Sequence, residues 1–155
     1  MVAVMSQRTV RTAAIVVSVG FVGLAVFQAA LAAGAPLGAA AWGGAERVLS
    51  TGPRIGSAIA AVLYLLGAFS VLRCAAFKVR WVPAKFARVT TWIFAVILQL
   101  SAVANVASES EWERYLLAPI GLLLGVLCLV VARHTRPGQQ ARVLPASNGR
   151  LAASP

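Results

Sequence analysis

The sequence predicts an all-α fold: a four-helix transmembrane bundle with both termini cytoplasmic and a Gly/Pro-rich outer loop between helices 1 and 2. Three observations lead there. Four stretches, 13–33, 55–72, 89–106 and 115–132, contain no charged side chain. Only 12% of the 155 residues are charged and 60% are apolar, whereas a soluble domain is roughly 25% charged. The basic residues also gather on alternate connections between the apolar stretches. With a mean hydropathy of +0.84, a chain of this size cannot cover a water-facing surface, and it is too apolar to be disordered.

The stretches are 21, 18, 18 and 18 residues long. As helices they measure about 27–32 Å, close to the roughly 30 Å hydrocarbon core of a bilayer. A backbone crossing lipid must satisfy its own hydrogen bonds, which selects helices. A barrel would need alternating segments of about ten residues, and the sequence has none. The expected division is a cytoplasmic N-tail over 1–12, the transmembrane domain over 13–132, and a flexible basic C-tail over 133–155.

The first stretch follows Arg8 and Arg11 and runs into Ala30-Leu31-Ala32, a pattern shared with cleaved secretory signals. It is long for such a signal and continues into Gly34-Ala35-Pro36, so a retained helix is expected. The connection that follows, 34–54, is mostly apolar and rich in Gly and Pro. Its Gly43-Gly44 pair suggests a small hairpin between 39–42 and 45–50. The second stretch carries Tyr64 near its middle, and the third carries Gln99 there. Ser110-Glu111-Trp112-Glu113 has the spacing of a capping box that opens the fourth helix. Pro119 then falls inside that helix, where it removes a backbone hydrogen bond and predicts a kink.

Eleven basic residues lie in the two tails and the 73–88 connection. Arg47, Arg54 and Arg114 lie on the opposite side with all four acids, Glu46, Glu109, Glu111 and Glu113. Cationic loops stay inside, so this asymmetry predicts cytoplasmic termini in a multi-pass plasma-membrane protein. Trp42, Trp81, Trp92 and Trp112 fall at or near span ends, where indole rings act as interfacial anchors. The net charge of +10 is thereby explained by topology, and nucleic acid is not an expected partner. The partners expected are the lipid bilayer and a membrane-protein partner or second copy of the chain.

Helices gain little from apolar contact in lipid, so small residues and polar groups must bring them together. Candidate stripes are Ala14, Ser18, Ala25, Ala29 and Ala32 on the first helix, and Ser57, Ala60, Ala61, Tyr64 and Gly67 on the second. The fourth offers Ala118, Gly121, Gly125, Cys128 and Ala132. Gly121 and Gly125 form a GxxxG match, which is expected to serve packing within the chain. Tyr64, Gln99, Gln28 and Asn105 are the candidate ligand or interhelical polar contacts. Ser101, Asn105 and Ser108 share a face, while Gln99 points about 120° away from Asn105 on an ideal helix.

No catalytic residue, cofactor or metal site is expected. The spans hold no ionisable group of the kind that marks proton or ion pathways. Glu109, Glu111 and Glu113 are expected to be solvated. Cys74 and Cys128 lack a CxxC spacing and are expected to stay unpaired, and His134 has no partners for a metal. The simplest functional expectation is a non-enzymatic membrane scaffold or partner subunit. The alternative is a facilitator or binding protein for a small uncharged lipophilic ligand, with a pocket near Tyr64 and Gln99.

The motifs from Ala32-Ala33-Gly34-Ala35-Pro36-Leu37-Gly38 through Ala41-Trp42-Gly43-Gly44 and Arg54-Ile55-Gly56-Ser57-Ala58 carry a resemblance. So do Asn105, Ser108, Ser110, Glu113, Arg114 and Pro119. The pattern resembles small uncharacterised four-span integral membrane proteins of high-GC Gram-positive bacteria. That resemblance implies an inner-membrane protein and assigns no role to these positions.

Overall fold

The structure, a computed structural model, describes residues 6–135. Its four long helices are α1 (Gln7–Ala32), α2 (Thr51–Cys74), α3 (Ala84–Val106) and α4 (Ala118–His134), the last continuous with a π-helical turn over Glu113–Leu117. Counted with that turn, all four are long and apolar enough to cross a membrane, and no strand occurs among the described residues. The 39–50 hairpin is therefore not formed. Two short 3-10 turns, Gly38–Ala40 and Trp42–Gly44, take its place. Gly43 and Gly44, with φ of 81° and 76°, would suit a two-residue hairpin turn, but Trp42, which would have to be extended, is left-handed at φ 56°.

The helices overrun the charge-free stretches by up to six residues (at Gln7), because a helix ends at a cap rather than at a charge. Ser6 caps α1, its Oγ accepting from the Thr9 N–H at 3.2 Å. Pro83 stands immediately before α3, and its fixed φ suits a helix start. Beyond Thr135 the expected flexible C-tail lies outside the described residues.

The packing runs α1–α2–α3–α4 around the bundle. The most extensive contacts are within the pairs α1–α2 and α3–α4, and the lesser α2–α3 and α1–α4 faces close the ring. At one end, called here the tail end, Thr135 reaches the Cys74 carbonyl, and Arg11 sits 4.5 Å from the centre of the Phe77 ring. At the other, the loop end, the 33–50 and 107–112 connections meet, with Ser110 Oγ donating to Ala39 O at 2.7 Å.

Small residues of the expected stripes join Val17, Phe21, Val71, Leu98 and Val131 in the core, while Ala60 and Ala61 of the α2 stripe are half-buried. Ala14, Ser18 and Ala25 are buried on α1, and all five stripe residues from Ala118 to Ala132 are buried on α4. Ala29 departs from its stripe and is exposed. A Cβ on Gly121 would meet Leu98 O and Ala102 at 3.6–3.8 Å, and one on Gly125 would meet Gln99 and Leu98 at 3.1–3.2 Å. The GxxxG face is thus spent on α3 of the same chain. Outward faces remain apolar: Val19, Val26, Val62, Leu100 and Val103 are all exposed, as helices that meet lipid tails should be.

Candidate functional site

The helices converge less closely toward the loop end, and a cavity of about 400 Å³ opens between them there. Gln28 of α1, Tyr64 of α2, and Ser101 and Asn105 of α3 line it, together with Trp42 of the connecting loop and Glu113 of the π turn. Leu24, Phe27, Leu98, Leu117, Ile120 and Gly121 supply apolar wall. One lining residue, Tyr64, belongs to a cluster of three rings. Phe21 packs at 5.6 Å from Tyr64 and 4.8 Å from Phe94, which lie 6.0 Å from each other. Leu24 and Leu98, the lining residues farthest from the loop ends of α1 and α3, are each eight residues from them, so the cavity reaches about 12 Å down those helices. Gly67 lets these rings close: a Cβ there would come within 2.7 Å of both phenylalanines.

The mouth is organised by Glu113. The Ser-x-x-Glu spacing forms half of a capping box, with the Glu113 N–H donating to Ser110 Oγ at 3.4 Å. The reciprocal bond is missing because the carboxylate turns elsewhere. Its Oε1 accepts from the Gly43 N–H at 3.2 Å, and its Oε2 accepts from the Ser108 hydroxyl. Glu113 is only 7% exposed, which corrects the expectation of three solvated glutamates; Glu109 and Glu111 are exposed. Arg114, the next residue, donates from Nη2 to Ser108 O at 2.6 Å. Among the described residues Glu113 has no ion-pair partner, and the cavity lining contains no basic residue.

Pro119 falls two residues after the π turn ends at Leu117. A proline cannot donate to the preceding turn, and a wider turn just ahead of it absorbs that missing bond. The π turn carries Glu113 and Leu117, both of which line the cavity.

Trp42 is 52% exposed and lies across α2. Its Nε1 donates to Ser57 Oγ at 3.1 Å, and a Cβ on Gly56 would strike its ring at 2.6 Å. The other tryptophans lie away from the cavity. Trp81 packs edge-on to Phe69 at 4.8 Å near the tail end, Trp112 is exposed, and Trp92 is half-buried.

Of the four polar candidates, three meet in the cavity and one does not. Gln28, Tyr64 and Asn105 share its wall, whereas Gln99 turns toward α4, with Nε2 donating to Ala95 O at 2.7 Å and Cγ facing Gly125. Gln28 Oε1 is buried without a hydrogen-bond partner. Ser70 Oγ is a second such atom, on α2 outside the cavity. Cys74 and Cys128 are buried and free, with Cys74 Sγ 3.4 Å from Thr91 Oγ1. His134 Nδ1 bonds Val130 O at 2.8 Å, and no cluster of metal-ligating side chains occurs among the described residues.

Sequence reasoning missed Glu113 and Trp42 as cavity residues. The Ser-x-x-Glu spacing did mark Glu113, but its partner Gly43 lies 70 positions away. No family model, curated protein or solved structure matches the chain.

Proposed function

We propose that this four-span membrane protein binds, or passes, a small lipophilic molecule through the cavity at its loop end. The observation that carries this reading is the cavity itself, together with its combination of apolar wall and a few polar groups. About 400 Å³ is at the small end of the roughly 300–1,000 Å³ typical of ligand sites. Apolar walls with a few convergent polar groups are the usual lining of such sites, and here α1, α2, α3 and the π turn all contribute. The lining offers shape, aromatic surface and hydrogen-bond acceptors, which are means of holding a molecule.

The charge distribution supports a plasma-membrane setting with the tail end cytoplasmic, so the cavity would open outward. Its contact with the bilayer is the partnership most directly supported by the apolar outer faces.

The test is saturable binding of a small uncharged aromatic. The full chain is placed in phosphatidylcholine nanodiscs, and uptake of labelled 2-phenylethanol is compared with empty discs. Binding of about one molecule per chain is expected, and Ser101→Trp, which projects bulk from the cavity wall, is expected to lower it at least tenfold. Uptake that matches simple partitioning into empty discs overturns the reading.

A further inference from the structure

We infer that the molecule held in the loop-end cavity carries an ammonium group, seated between the Glu113 carboxylate and Gln28 Oε1, with an apolar body lying toward Tyr64. This deepens the binding reading above and rests on it. Three observations on one cavity lead to the ammonium. The first is an acceptor-only charge: Glu113 is 7% exposed, and its two partners, the Gly43 N–H and the Ser108 hydroxyl, are both neutral. A buried carboxylate held only by neutral donors keeps an uncompensated charge, which is costly in a low-dielectric wall.

The second is that no described residue supplies an ion-pair partner for Glu113. No lining residue is basic, and Arg114 directs Nη2 at the Ser108 carbonyl. The third is Gln28, a lining residue whose buried Oε1 has no hydrogen-bond partner among the described residues. A ligand hydroxyl or a water would answer Gln28 but leave Glu113 uncompensated. A carboxylate or phosphate ligand would add a second negative charge. An N–H-bearing cation answers both groups, since charge-assisted hydrogen bonds are roughly twice as strong as neutral ones. Trp42, Phe27 and Tyr64 also line the cavity, and aromatic rings favour a cation further. A bare metal ion is a poorer fit, because a single carboxylate is the only charged ligand the lining offers.

The experiment compares three probes of similar shape in zwitterionic phosphatidylcholine nanodiscs at pH 7: 2-phenylethylammonium, 2-phenylethanol and n-propylbenzene. Uptake into empty discs is subtracted. The ammonium is expected to bind the full chain about tenfold or more tighter than the alcohol, the scale of one charge-assisted hydrogen bond. Glu113→Gln keeps an acceptor for Gly43 while removing the charge, and it is expected to erase that preference, read as the ratio of ammonium to alcohol binding by the same variant. Equal binding of ammonium and alcohol by the unaltered chain overturns the inference and leaves the binding reading standing. A preference that survives in Glu113→Gln, with folding checked by circular dichroism, likewise overturns it. Failure of all three probes to saturate overturns both readings.

Discussion

Glu113 joins two connections that are far apart in sequence, taking the Gly43 N–H from one and the Ser108 hydroxyl from the other. Hydrogen bonds to a charged group contribute about 1.5–3 kcal/mol each, so this one side chain accounts for much of the order at the loop end. Glu113→Leu is expected to cost about 2–4 kcal/mol and to free the 33–50 connection. Limited trypsin digestion in nanodiscs should then cut faster at Arg47, which is exposed. An unchanged cleavage rate would mean that other contacts hold the loop.

Gly38 makes a second claim at this scale. Its N–H donates to Arg47 O at 3.0 Å, and an added Cβ would stand 2.2 Å from Glu46 O. Because the obstacle is backbone, Gly38→Ala is expected to lower stability by about 1–3 kcal/mol, read as a drop in Tm. Neither residue's role was legible beforehand. The Ser-x-x-Glu pattern announces a helix start, and nothing in local spacing tells a carboxylate to prefer an amide 70 positions away.

The four helices could be read from the sequence because bilayer thickness sets their length and lipid excludes charge. The same reasoning located the small-residue stripes, since close approach is the main resource for packing in a membrane. It did not resolve the π turn or the paired 3-10 turns, whose geometry depends on side chains arriving from other elements. Two glycines now separate packing from mere helical preference. Gly67 meets the Phe21 and Phe94 rings, so Gly67→Ala is expected to destabilise by about 1–3 kcal/mol through overpacking. Gly121 has 3.6 Å or more of clearance, so Gly121→Ala is expected to be neutral or to stabilise by up to about 1 kcal/mol. Detergent or denaturant unfolding followed by circular dichroism distinguishes the pair, and equal losses would refute the assignment of Gly67 to the ring cluster.

For the molecule as a whole, the uneven placement of cations sets the expected orientation. A reporter inserted after Gly44 should give an extracytoplasmic signal, and one fused after Pro137 a cytoplasmic signal; the reverse pattern would contradict the charge argument. The polar face of α3 was also partly legible, since Ser101 and Asn105 do line one cavity while Gln99 turns to α4. The cavity itself was not, because its wall is assembled from residues of all four helices and the 33–50 connection.

The closest contacts run within α1–α2 and within α3–α4, leaving the seams between those hairpins the weaker faces. A body built as two stiff leaves yields first along its spine. Sideways pressure from the surrounding bilayer, which changes with its thickness, would therefore widen or narrow the chamber between the leaves more readily than it would bend any one rod. The lipid around the protein becomes a determinant of how much room its interior offers.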